Sequence, residues 1–183
     1  MGNTPARRAL VPTALAVSIL AGGCMAPIRN EAAPRCNKTD TLVLMAQSVP
    51  SAELVPCLGP IPAGWTFGDM DIGSGDSAFS LDSTDAGISA VMVTLAPTCD
   101  RAGATEVASD EAGTQQFERI ESLVGQYRGT RSYVFGGGCV TYRFRFPAQN
   151  TPLVNDVSLA LTFRTRADID EAVRRMSGGR LHL

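Results

Sequence analysis

The sequence predicts an α+β domain: an antiparallel β-sheet of about four to six strands, a short N-terminal helix, C-terminal helices and two disulfides. Three observations carry that prediction. Cys139–Phe146 alternates strictly, with Val140, Tyr142, Phe144 and Phe146 on one side and Thr141, Arg143 and Arg145 on the other, the pattern of a half-buried strand. Gly136-Gly137-Gly138 joins it to Arg131–Phe135, and glycine accepts the positive φ that a tight hairpin turn needs. Ile169, Ala172, Val173 and Met176 recur at helical spacing behind Thr165 and Asp168, a capping box with aspartate in place of glutamate. Gly178 is suited to end that helix.

The remaining elements follow in chain order. Asn37 to Gln47 carries Leu42, Val43, Leu44 and Met45 behind Thr39 and Asp40, either of which can cap a short helix that Pro50 must stop. Pro56, Pro60 and Pro62 predict an extended connector pinned by Cys57. Trp65–Phe67, Ala78–Leu81 and Ser89–Leu95 read as strands bounded by Gly, Asp or Ser. Phe117–Val124 fits helical spacing as well as a strand ending at Gly125, and the strand is preferred. Pro152 opens a helix expected to run through Leu153, Val154, Val157 and Leu161.

The chain of 183 residues begins with a segment of a different kind. Arg7 and Arg8 precede an apolar or small stretch from Ala9 to Gly23, with no acidic residue among them. A hydrocarbon core about 30 Å thick needs roughly 20 residues, so this stretch suits a signal peptide better than a membrane span. The Arg7-Arg8 pair leaves Sec and twin-arginine export both open. Leu20-Ala21-Gly22-Gly23-Cys24 resembles the lipobox of bacterial lipoproteins, with Ala21 where a large aliphatic residue is usual. That resemblance implies removal of residues 1–23, a diacylated Cys24 as lipid attachment site, and a tether over 24–35 ahead of one globular domain at 36–183. Two acyl chains anchor stably where one is marginal.

Removing the signal leaves 160 residues and lowers the net charge from −2 to −4. One domain of that length buries a sizeable core. The acidic balance argues against a nucleic-acid partner, which would need a basic patch to displace counterions. Cys36, Cys57, Cys99 and Cys139 remain, an even count that reads as two disulfides in an exported protein. Three connectivities are open, and joining consecutive segments favours Cys36–Cys57 with Cys99–Cys139. A four-cysteine zinc site is disfavoured because no two of them form a CxxC pair.

The sequence assigns no catalytic residue, metal or cofactor. His182 is the single histidine and stands next to the last residue, which argues against a histidine-based hydrolase. Asp69, Asp71 and Asp76 lack the ligand set of a calcium loop and read as a Gly-rich turn, while Asp110 and Glu111 sit in a loop. Trp65 and Phe67 read as core. Gly137, Arg143 and Arg145 form a candidate anion or ligand site. The reading preferred over that site has Arg131, Arg143 and Arg145 lining the solvent face and pairing with Glu118 or Glu121. LAGGC, AQSVPSAELVPC and GGGCVTYRF, with fifteen arginines to one lysine, together resemble small lipoproteins of GC-rich Gram-positive bacteria, with an actinobacterial-like composition. The first motif implies an exported protein, lipid-anchored on the extracytoplasmic face of the cell membrane; the other two imply a fold-mate and no chemistry, and an envelope protein or cell-wall partner is expected only of the binding-module reading. The function expected is a non-enzymatic binding or interaction module; the alternative is an envelope hydrolase using carboxylates.

Overall fold

The computed structural model describes residues 33–183 together with Gly2. The expected signal peptide, Cys24 and most of the expected tether lie outside the described residues. Helix α1 (Asp40–Ser48) leads into β1 (Leu54–Leu58), followed by β2 (Trp65–Ile72), β3 (Ser77–Ser83) and β4 (Gly87–Ala96). Strands β5 (Thr105–Val107), β6 (Gln115–Ser122), β7 (Gln126–Phe135) and β8 (Gly138–Pro147) come next. A 3-10 turn at Ala148–Asn150, α2 (Leu153–Ser158), β9 (Leu161–Thr165) and α3 (Arg166–Ser177) complete the chain.

The expected α+β class is corrected to a mostly antiparallel β architecture. Seven strands form one sheet in the order β2-β3-β4-β8-β7-β6-β5, and β1 pairs with β9 in a second, two-stranded sheet. The helices are short, at 9, 6 and 12 residues. Three elements account for the difference. The Pro-rich connector contains a strand, because Pro56 lies in the two-stranded β1–β9 sheet, where only one neighbour asks for hydrogen bonds. Helix α2 ends at Ser158, and Leu161 opens β9 instead of closing a helix. Its Leu-Thr-Phe-Arg-Thr run alternates and is rich in strand formers, so the spacing from Val157 to Leu161 misled. Strand β5 is three exposed residues, too short to leave a periodic signal.

The seven-stranded sheet buries one face. Strict alternation sets Val91, Val93 and Leu95 of β4 opposite Phe144, Tyr142 and Val140 of β8. Phe67, Phe79, Leu81 and Tyr133 extend that layer, and all are under a tenth exposed. Leu42, Met45 and Val49, Val55 of β1 and Ile169 of α3 cover it and are fully buried. Phe163 of β9 meets Tyr133 and Phe135 edge-on at 5.4 and 6.1 Å. Thr165 caps α3 by accepting the Asp168 N–H at 3.0 Å, and Gly178 ends it at φ 63°.

Disulfides join Cys36 to Cys57 and Cys99 to Cys139. The second ties the loop after β4 to the start of β8, where Ala96 and Cys139 already face each other. No helix among the described residues is long and apolar enough to cross a membrane.

Candidate functional site: an arginine row on the open face of the sheet

The β7–β8 hairpin turns at Gly136-Gly137, and its register places Arg128 opposite Arg145 and Thr130 opposite Arg143. Tyr127, Gly129 and Phe144 face the core, so alternation sends Arg128, Arg143 and Arg145 outward, where all three are exposed. With Thr130 and Glu121 they line a shallow depression of about 410 Å³. Among the described residues none of the three arginines forms an ion pair. Arg128 donates from Nε to the Gln126 side-chain carbonyl at 3.0 Å. Like charges directly opposed across two strands are destabilising. An anion shared between the two guanidinium groups relieves that repulsion through charge-assisted hydrogen bonds.

The structure separates the three residues of the candidate anion site. Arg143 and Arg145 are neighbours on the open face, whereas Gly137 sits at the hairpin tip, six residues or about 20 Å from Arg143 along the strand. Gly137 is occupied by packing: its carbonyl accepts the Ser51 hydroxyl at 2.6 Å. Arg128 completes the row instead. Counting outward from the Gly136-Gly137 turn already sets Arg128 opposite Arg145, so the signal was present in the sequence.

Arg131 is corrected from the solvent face to the core side of β7, opposite Tyr142. It donates from Nε to Glu118 at 2.7 Å, and Asp110 lies 3.8 Å from its other end. Glu118 therefore pairs with an arginine as expected, but on the covered side. Asp110 also accepts the Tyr133 hydroxyl at 2.9 Å, so the loop at Asp110 is fastened to the sheet. Burial opposes the Arg131 charge, but Tyr133 and Glu118 outweigh it and hold the guanidinium above its ordinary pKa. Burial, then the bond to Asp110, push the Tyr133 hydroxyl far above the phenol range. Tyr142 is raised for the same first reason, and its hydroxyl has no hydrogen-bond partner among the described residues. Burial raises Glu111 too, against the Thr162 hydroxyl, which lowers it.

Other sequence candidates have structural places. Asp69 and Asp71 are strand residues of β2 rather than part of a turn. The register shifts between Phe67 and Met70, where the Asp69 N–H donates to Ser80 at 3.0 Å. Trp65 is buried edge-on against Phe146 at 6.0 Å, and His182 is exposed. Among the described residues no group of three or more His, Cys, Asp or Glu is placed to hold a metal. A cavity of about 520 Å³ lies between Leu54, Thr165, Arg166 and Asp170; Leu183 forms part of its wall, its N–H bonded to Asp170 at 2.7 Å.

No protein-family model and no curated protein matches the chain. A solved structure from Bacteroides thetaiotaomicron VPI-5482 is similar over 63% of this chain at 14% identity, with a TM-score of 0.34. The aligned part spans 46% of that structure's length, and a likeness this slight carries no argument about fold or activity.

Proposed function

We propose that the chain is an exported lipoprotein, anchored through Cys24 on the extracytoplasmic face of the cell membrane. Its domain is a binding module that takes an anionic partner of the envelope on the row Arg128, Arg143 and Arg145. The observation that carries the reading is the opposition of Arg128 and Arg145, both exposed and both without an acid partner among the described residues. The two disulfides suit the oxidising compartment that export implies. A hydrolase working through carboxylates is the other reading. Asp110 and Glu118 both face the Arg131 guanidinium, an arrangement that favours a fastening role and hence the binding module.

Retention on immobilised poly(glycerol phosphate) tests the proposal. The exported protein is expected to be retained at low salt and released as ionic strength rises. Arg143→Glu with Arg145→Glu should weaken retention about tenfold or more, equivalent to ~1.4 kcal/mol. Arg174→Glu, on α3, should leave it unchanged. Equal retention of both variants would refute the row as the binding surface.

A further inference from the structure

We propose that one end of the domain docks on an anionic lipid surface, so that the partner of the arginine row is the phosphate of lipid headgroups. The inference rests on the anchored-lipoprotein reading and names the partner of that same row. It starts from where the described chain begins. Pro34 accepts the Leu58 N–H at 2.7 Å, the Cys36 N–H donates to Leu58 at 3.0 Å, and the Cys36–Cys57 bridge fastens the segment. The entering chain is thereby held at the Leu58 end of β1. Glu53, before the other end of β1, bonds Gly136 at the β7–β8 turn. The entry point therefore lies toward the opposite end of the sheet from that turn, the end where β7 begins and β8 finishes.

The turns at this end are apolar and exposed. Leu123 and Val124 form the β6–β7 turn and are 58% and 91% exposed; Ile88, just past the β3–β4 turn, and Leu159, after α2, are each 87% exposed. Hydrogen bonds draw these turns together: the Ala148 N–H reaches Gly125, and the Asn150 side chain donates to the Asp85 carbonyl at 2.7 Å. Leu44, Val107, Met176 and Leu181 are exposed singly on other elements, whereas these four gather at one end of the sheet.

Charge selects the occupant. Arg128 and Arg145 lie two residues in from Gln126 and Pro147, which pair at this same end. Arg35 and Lys38 flank Cys36 at the entry point, and Arg143 stands one step further up β8. Asp40, Asp82, Asp85, Glu121 and Asp156 share the region, but Glu121 is held by Arg119 at 2.8 Å and the Asp82 carboxylate accepts the Ser89 N–H at 2.8 Å, whereas Arg128, Arg143 and Arg145 form no ion pair among the described residues. Apolar tips ringed by arginine and lysine fit an interface where acyl chains meet anionic phosphate. Eight residues lie between Cys24 and Ala33, nine Cα steps or about 30 Å when extended, which keeps this end within reach of the bilayer.

The test is amide hydrogen exchange on the exported protein, mixed with or reconstituted into vesicles of phosphatidylglycerol or of phosphatidylcholine. Peptides spanning 121–128 and 84–89 are expected to exchange at least fivefold more slowly on phosphatidylglycerol, with the α3 peptides unchanged. Val124→Asp with Arg145→Glu, both at exposed positions, should abolish that slowing while leaving Tm nearly unaltered. Equal exchange on the two lipids, or slowing that survives the double variant, would overturn the docking. Free poly(glycerol phosphate) separates this from the parent reading. Protection of the arginine row by the polymer without lipid-dependent protection of 121–128 would leave the anion site standing and remove the membrane as its partner.

Discussion

Gly137→Ala is expected to lower the stability of the domain by roughly 3 kcal/mol, read as a fall in the urea midpoint. Two costs add at this position. The backbone lies at φ 67°, a region that L side chains rarely adopt. A Cβ built there also falls on the Ser51 carbonyl oxygen, a backbone atom that cannot step aside like the end of a long side chain. That carbonyl belongs to the 51–53 segment, which meets the hairpin turn through Ser51 to Gly137 and Glu53 to Gly136. Moving it disturbs the junction between α1, β1 and the large sheet. Gly125→Ala is the internal control. Its φ of 69° is nearly the same, yet nothing lies within 4 Å of the added Cβ. It should cost only the conformational part, about 1 kcal/mol. Equal losses at the two positions would show that the hairpin turn does not seat on Ser51.

Replacing Cys99 and Cys139 together by serine is expected to cost about 4 kcal/mol in the loop-entropy account, for a sequence separation of 40. The double replacement avoids leaving a free thiol. The loss is specific in kind as well as size. After β4 the chain runs out to β5 at the sheet edge and returns through β6 and β7 before β8 comes back beside β4. The bridge shortens that excursion in the unfolded chain, so its loss should speed proteolysis between 97 and 114 before other segments. Cys36→Ser with Cys57→Ser closes a separation of only 21 and should cost about 3 kcal/mol, loosening the 33–38 segment instead. A larger loss at Cys36–Cys57 than at Cys99–Cys139 would contradict this order.

The strands that alternate were legible in the sequence. Cys139–Phe146 reads correctly because a strand with one covered face writes period two into its residues, and the triglycine marks its turn. Two strands were less legible: β5 is only three residues long, and β9 is held by a partner distant in sequence. β9 pairs with β1 across more than a hundred residues, and no local periodicity records that. The arginine row was half visible. Arg143 and Arg145 show as outward residues of one strand, while Arg128 enters only once the hairpin register is counted. Arg131 went to the wrong face because its charge was read as a sign of solvent; alternation with Tyr133 and Phe135 already sets it on the covered side, opposite Tyr142. Net charge misled in a different way. A net charge of −2 hides three arginines, unpaired among the described residues, side by side on one face of the sheet.

The lipid anchor at Cys24 is tested by the mass of the N-terminal peptide of the protein purified from the membranes of an expressing bacterium. The expected peptide begins at Cys24 and carries a diacylglyceryl group, with Cys36 still bridged to Cys57. A peptide starting elsewhere, or an unmodified Cys24 on a protein released from the cell, would contradict the anchor on which the proposed function stands.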